Sequence, residues 1–165
     1  MPCPLRGGFC HNAGMPRPKL HSLTFGGSVD ELEAAFYEAL QQGDLDQLMA
    51  CWADEDHISC VHPGGPRLIG QAAIRQAFAA LFEGGAKLQI GVLDVQRIDA
   101  LSSAVHSVVE RVQVQTERGP ASVVIVATNV YHRTAQGWRM LAHHASPGSA
   151  QDLPLGEAGS GQLLH

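Results

Sequence analysis

The spacing of apolar residues changes at Gly84 and Gly85, and this change constrains the fold more than any other feature of the chain. Before the two glycines, apolar residues recur at the spacing of one helical face. After them, apolar and polar residues alternate, which is the spacing of a β-strand. Helices that precede a run of strands predict an α+β fold, with the helices on one face of a single sheet.

The first half of the chain carries signals for three helices and one short strand. Ser28 begins the capping box SVDE and starts a first helix, which Gly43 is suited to end in a left-handed conformation. Asp44 can cap a second helix, and a third helix follows Gly70. Between the second and third helices we expect a strand at 57–61, ended by the turn sequence HPGGP.

The second half predicts four strands, at about 87–99, 103–116, 121–134 and 138–146. The breaks between them are short enough for hairpins, so the four strands should form an antiparallel meander. We therefore expect a strongly curved, mostly antiparallel sheet of five or six strands. Such a sheet, bent round a helix, encloses a cone whose interior either forms a pocket or is filled by side chains.

Length and composition favour one domain and argue against several classes of protein. The chain has 165 residues, of which 45% are hydrophobic and 16% charged, enough to bury a sizeable core. A net charge of −5 argues against nucleic acid as a partner, because phosphate binding depends on clustered Lys and Arg. No apolar run approaches the roughly 20 residues that a membrane span needs. We expect no membrane association and a cytoplasmic location.

Both ends of the chain, residues 1–27 and 148–165, are rich in Gly, Pro and small polar residues. We expect them to be flexible extensions on either side of one domain at 28–147. Cys3, Cys10 and His11 are metal-ligand types, but no second ligand pair follows at zinc-finger spacing. We therefore expect neither a metal site nor a cofactor.

Three segments carry a resemblance to a known superfamily: ALQQGDLDQLMACWADED, HPGGPRLIGQAAIRQAF and GWRMLAHHAS. Together with the order of elements over about 29–146, they resemble the superfamily of nuclear transport factor two, ketosteroid isomerase and the SnoaL-like polyketide cyclases. The resemblance implies a cone-shaped (cystatin-like) fold with three N-terminal helices. It does not imply one activity, because this scaffold hosts isomerases, cyclases, hydrolases, transport factors and oligomerisation modules.

The resemblance also relates positions of this chain to the three chemical groups of ketosteroid isomerase, which are a carboxylate base, a tyrosine and a protonated aspartic acid. The corresponding positions are His62, Phe36 and Asn129, and Tyr37 is expected on the wrong face of its helix. Since all three groups differ, we reject ketosteroid isomerase as the specific activity.

Two polar residues are candidates for the cavity on their own chemistry. His62 can act as a general base, because the unperturbed histidine pKa of about 6.5 lies near working pH, or it can bond a loop carbonyl. Asn129 shares a strand face with Val123, Ile125 and Ala127, where it can orient a ligand carbonyl or bridge two strands.

Glu110 and a histidine pair are the other polar candidates. His143 and His144 are adjacent in a strand and must point to opposite faces. The resemblance places His144, with Met140, toward the cavity and His143 toward the outer face of the sheet. Glu110 lies among valines, where burial would raise its pKa, although it can also pair with an arginine at the rim.

We therefore expect a SnoaL-like protein that binds a small apolar, carbonyl-type molecule in the cone. One alternative is an enzyme of the isomerase, cyclase or hydrolase type that uses His62 as general base. A second alternative is a non-catalytic dimerisation module. The expected site residues are His62, Asn129, His144, Glu110, Trp52, Phe36 and Met140. The last three are also large enough to fill the cone, and the sequence leaves both alternatives open.

The outer face of the sheet predicts a homodimer. Val105, Val109, Val124 and Val126 alternate onto it and make it too apolar to remain in contact with water. We expect a second copy of the chain to cover this face.

Overall fold

The structure is a computed structural model that describes residues 27–85 and 88–156. Its three helices are α1 (Val29–Gln42), α2 (Leu45–Ala50) and α3 (Gln71–Glu83). None of the helices in these two ranges is long and apolar enough to cross a membrane.

The ends of the first two helices follow the predicted capping chemistry. The Ser28 hydroxyl accepts a hydrogen bond of 3.2 Å from the Glu31 N–H and satisfies one free donor at the start of α1. Gly43 ends α1 with a φ of 68°, a left-handed conformation that glycine adopts without steric cost. The Asp44 carboxylate then accepts from the Gln47 N–H at 3.0 Å and starts α2.

Six strands form one curved sheet in the order β2-β1-β6-β5-β4-β3. Neighbouring strands are antiparallel except β1 and β6, which run parallel. The predicted α+β class, the curved, mostly antiparallel sheet and the meander are confirmed. The strands are β1 (Ser59–Val61), β2 (Arg67–Ile69), β3 (Gln89–Asp99), β4 (Ser103–Thr116), β5 (Gly119–Thr134) and β6 (Gly137–Pro147).

The core lies between the helices and one face of the sheet. Burying these side chains removes apolar surface from water at about 25 cal/mol per Å², which is what holds the two layers together. The largest apolar side chains that are almost fully buried are Leu32, Phe36, Leu48, Ile58, Ile74, Phe78, Val108, Tyr131 and Met140.

A β-bulge interrupts the pairing of β5 with β6. Val130 pairs with Ala142, whereas the next residue on β5, Tyr131, pairs with Met140. One residue on β5 is thus matched by two on β6, and Leu141 is the extra one. Because side chains alternate along a strand, the extra residue reverses which positions of β6 face the core.

The bulge determines the orientation of the histidine pair. Before it, Met140 faces the core; after it, His143 and Ala145 do, and both are buried. His144 is exposed on the outer face. The expectation that His144 shares the inward face of Met140 is therefore wrong, because uninterrupted alternation does not hold across Leu141.

The described chain continues beyond β6. The Gly148 N–H donates to the Val124 carbonyl at 2.8 Å, and Ala150–Asp152 forms one 3-10 turn that Ser149 caps. Residues 1–26 and 157–165, including Cys3, Cys10 and His11, lie outside the described residues.

Candidate functional site

A cavity of about 440 Å³, here called the cone cavity, lies between the helices and the inner face of the sheet. Most of its wall is apolar, and its polar side chains are His62, Glu110 and His143. Its volume is in the usual range for small-molecule sites, about 300–1,000 Å³. Lining side chains come from Leu40, His62, Pro63, Ala77, Phe78, Leu81, Leu88, Ile90, Glu110, Val112, Ile125, His143 and Ala145.

His62 follows β1 and lines the cone cavity. Its ring meets that of Phe78 edge to face, with centroids 4.9 Å apart, and its Nε2 lies 4.0 Å from the Cys60 sulfur. Burial lowers the pKa of His62, because the charged imidazolium loses hydration. The neutral ring, which can accept a proton, is therefore the main form at neutral pH.

Glu110 projects inward from β4 and is 4% exposed. The Tyr37 hydroxyl donates to its Oε1 at 2.6 Å. Burial raises the pKa of the Glu110 carboxyl, the nearby Glu33 raises it further, and the bond from Tyr37 partly offsets both effects. Arg97, a candidate partner at the rim, pairs with Asp30 at 3.0 Å.

His143 replaces His144 at the cavity wall. Its Nδ1 lies 2.6 Å from the Asn129 Oδ1, and its ring centroid is 5.4 Å from that of Phe36. Burial, with smaller effects from His62 and His144, lowers the pKa of His143 to about 3. The ring is therefore neutral at any ordinary pH.

Asn129 lies behind the cavity wall and bridges two layers of the fold. Its Nδ2 donates to the Glu33 Oε2 at 3.3 Å and to the Tyr37 hydroxyl at 3.1 Å. It is fully buried and is not a lining residue of the cone cavity. Its observed partners are protein groups, as in the strand-bridging alternative.

Glu33 is the centre of these bonds. Its Oε2 accepts from the Asn129 amide, the Tyr131 hydroxyl and the His106 Nδ1, the last at 2.9 Å. Glu33 is 6% exposed, so these donors replace the water that its carboxylate has lost. We call the connected set the buried polar network: Glu33, Tyr37, His106, Glu110, Asn129, Tyr131 and His143.

The expectation that Tyr37 faces away from the sheet is wrong. Tyr37 is 4% exposed and joins Glu110 to Asn129 within the buried polar network. Its neighbour Phe36 is also buried, because the core-facing arc of α1 is wide enough to include both positions. One sequence signal for the buried position of Tyr37 is its spacing from Glu33. The two polar residues stand at i and i+4 beside the apolar stripe of α1, so their side chains lie on the same side of the helix.

The remaining predicted site residues are part of the core. Phe36, Trp52 and Met140 are at most 3% exposed and are not lining residues of the cone cavity. The rings of Phe36 and Trp52 meet edge to face with centroids 6.3 Å apart. Within residues 27–85 and 88–156, no group of three His, Cys, Asp or Glu side chains is arranged to hold a metal ion.

Comparisons with known proteins agree with this architecture. A family model described as a SnoaL-like domain matches residues 29–150. A search of curated proteins finds no match.

Solved structures give two similar proteins and one more distant one. A Thiobacillus denitrificans protein, provisionally described as a calcium/calmodulin-dependent protein kinase type II association domain, is 36% identical, with a TM-score of 0.66 over 75% of this chain and 98% of that one. A Streptomyces avermitilis protein, provisionally described as a dehydratase of the NTF2-like family, is 30% identical. Its TM-score is 0.66, and the match covers 73% of this chain and 93% of that one. A ketosteroid isomerase-like protein from Erwinia carotovora atroseptica is 15% identical, with a TM-score of 0.60 over 73% and 94%, and shows the fold alone.

The raised pKa of Glu110 predicts a pH-dependent stability. A carboxyl that holds its proton more tightly in the folded state stabilises the fold below its ordinary pKa, about 4.3, and loses this contribution as pH rises through the raised value. For each pH unit between the ordinary and the raised pKa, the contribution of Glu110 to the free energy of unfolding falls by about 1.4 kcal/mol. Glu110→Gln removes the titration, so it should destabilise the protein more at pH 4 than at pH 7, as measured by urea unfolding.

The matched control is Glu38→Gln, which changes an exposed carboxyl on α1. The difference in the free energy of unfolding between pH 4 and pH 7 should change more in Glu110→Gln than in this control, because Glu110 is buried and Glu38 is exposed. An equal effect of Glu110→Gln at pH 4 and pH 7 would contradict the raised pKa.

Proposed function

This chain belongs to the family of SnoaL-like domains, and from that premise we propose that it binds a small, neutral, apolar molecule with a carbonyl group in the cone cavity. The observation that carries the proposal is the cavity itself, with its volume of about 440 Å³ and its mainly apolar wall. An apolar molecule that enters it leaves water at a gain of about 25 cal/mol per Å² of buried surface.

The polar groups of the wall favour a neutral ligand. Among the described lining residues there is no Lys or Arg to balance a ligand carboxylate. Glu110, whose pKa is raised, retains its proton more readily than an exposed glutamic acid and can then donate a hydrogen bond to a carbonyl oxygen. We assign to Glu110 the carbonyl contact that the sequence suggested for Asn129.

Filling the cavity should abolish binding. Ala77 lines the cone cavity from α3, and Ala77→Trp would place an indole in the volume that the ligand needs. We expect the variant to bind 2-acetonaphthone, a neutral apolar ketone, at least about tenfold more weakly than the wild-type protein by isothermal titration calorimetry.

Ala80→Trp is the matched control, because Ala80 is exposed on the same helix. Its affinity should equal that of the wild-type protein. Failure of the wild-type protein to bind the ketone, or equal binding by all three proteins, would overturn the proposed function.

Catalysis is a second candidate function, favoured by the lowered pKa of His62 on the cavity wall. A neutral imidazole can remove a proton from the carbon beside a bound carbonyl while Glu110 donates a hydrogen bond to the enolate oxygen that forms. The C–H electron pair becomes the new C=C bond, and the carbonyl π electrons move to oxygen. Return of a solvent deuteron to the carbon completes an exchange reaction.

Proton exchange tests the role of His62. In deuterated buffer, the wild-type protein should speed exchange of the methyl protons of 2-acetonaphthone, followed by NMR, and His62→Gln should lower the rate by roughly 10²-fold. The rate should rise with pH through the lowered pKa of His62 and level off before pH 7. His57→Gln, at an exposed histidine, is the control and should leave the rate unchanged. Wild-type exchange no faster than in buffer would contradict catalysis and leave binding in place.

Self-association is a third candidate, and we propose that it uses the outer face of the sheet. A groove there, the outer groove, crosses β4, β5 and β6, and the similar Thiobacillus denitrificans protein is described as an association domain. Covering valines and alanines with a second copy would remove apolar surface from water. The residues of the outer groove are Ser107, Val126, Ala127, Thr128, Val130, Ala142, His144 and Ser146.

A charge in the outer groove should separate the two copies. Val126→Glu would bury a carboxylate at the interface, so we expect a homodimer in the wild-type protein and a monomer in the variant by light scattering. Ala80→Glu, on the exposed side of α3, should leave the dimer intact. A wild-type monomer at all concentrations would rule out this interface.

We propose that the protein acts in the cytoplasm. Cys51 and Cys60 are both buried free thiols. Burial raises the pKa of each thiol to about 12, which keeps both unreactive as small apolar side chains. Free thiols of this kind suit a reducing compartment.

A further inference from the structure

The orientation of the Asn129 amide follows from its partners. The Nδ2 of Asn129 donates to the Glu33 Oε2 at 3.3 Å, and the same oxygen accepts from the Tyr131 hydroxyl. The same Nδ2 donates its second hydrogen to the Tyr37 hydroxyl at 3.1 Å. Both amide hydrogens are thereby used, and the Oδ1 is directed to His143.

The proton position on His143 follows in turn. An amide oxygen can only accept, so the Nδ1 of His143, 2.6 Å from the Asn129 Oδ1, must carry a hydrogen. Because the pKa of His143 is lowered to about 3, the ring holds one proton at neutral pH, and that proton is on Nδ1. The Nε2 therefore has a lone pair and no hydrogen.

His143 lines the cone cavity, so its free polar atom is an acceptor available to a ligand. A carbonyl oxygen, an ether oxygen or a carboxylate placed against Nε2 would bring two lone pairs together. A hydroxyl group would instead donate a hydrogen bond to it. The apolar lining residues give a hydroxyl no partner. Of the two lining histidines, His143 is the one whose proton position is fixed by a bond to the buried polar network, so it is the position where the wall distinguishes these groups.

We propose that the ligand of the cone cavity carries, besides its carbonyl group, a hydroxyl group that donates to the Nε2 of His143, so that the natural ligand is a neutral, apolar hydroxy carbonyl compound such as a hydroxy ketone or a phenolic ketone. This inference rests on the proposed binding function and specifies its ligand class. His143 is a specificity-determining residue, and Asn129 is a positioning residue that acts through it. The bonds from Glu33 to Asn129 and from Asn129 to His143 thus fix the Nε2 of His143 as an acceptor on the cavity wall.

Two probes of nearly equal shape test the ligand class. By calorimetry at pH 7, 2-naphthol should bind the wild-type protein about tenfold more tightly than 2-methoxynaphthalene, because the ether lacks the donor. His143→Phe should remove this preference, whereas His62→Phe and Glu110→Leu, which remove the other polar groups of the wall, should each retain it and so exclude His62 and Glu110 as the acceptor. Equal affinities of the two probes for the wild-type protein would overturn the inference.

NMR of the wild-type protein tests the proton position on His143 directly, so this test does not require any variant to fold. In ¹⁵N-histidine-labelled protein at pH 7, NMR correlation spectra should show His143 with a protonated Nδ1 and an unprotonated Nε2. The Nε2 signal should move when 2-naphthol is added and should stay in place with 2-methoxynaphthalene. A proton on Nε2, or on both nitrogens, would overturn the inference.

The outcomes separate this inference from the proposed function. If 2-acetonaphthone binds and the hydroxyl preference is absent, the ligand class is wrong and the binding function stands. If 2-acetonaphthone does not bind, the proposed binding function fails, and the inference, which rests on it, fails with it.

Discussion

The structure depends on one buried carboxylate, that of Glu33. A charge removed from water costs several kcal/mol unless hydrogen bonds replace its hydration, and Glu33 receives three donors from the sheet. Those donors come from β4 and β5, so the same bonds that satisfy the charge hold α1 against the sheet. The orientation of the Asn129 amide, and through it of the His143 ring, follows from this arrangement.

Much of the fold could be predicted from local sequence, because local physics determines it. The caps at Ser28 and Asp44 and the left-handed Gly43 act within a few residues, and the change of period after Gly85 separates helices from strands. The inward face of β4, with Glu110, follows from alternation alone.

The rest of the candidate site depends on contacts between distant parts of the chain. Glu33 meets His106 and Tyr131 across 73 and 98 residues, and no local pattern indicates which polar side chains will meet. The bulge at Leu141 has no Gly or Pro to mark it, so alternation assigned the wrong histidine to the cavity. Tyr37 was misplaced for a related reason, since the width of the buried arc of α1 depends on what packs against it.

The bulge in β6 has an evolutionary consequence. If the bulge were lost while Leu141 was kept, plain alternation would run through Leu141 and exchange His143 for His144 at the cavity wall, while the outer groove received the opposite exchange. A change of strand register would thus alter ligand recognition and the outer surface together, with no substitution at either site. In proteins of this architecture, the presence of a bulge in the last long strand is then as informative about function as the identity of its residues.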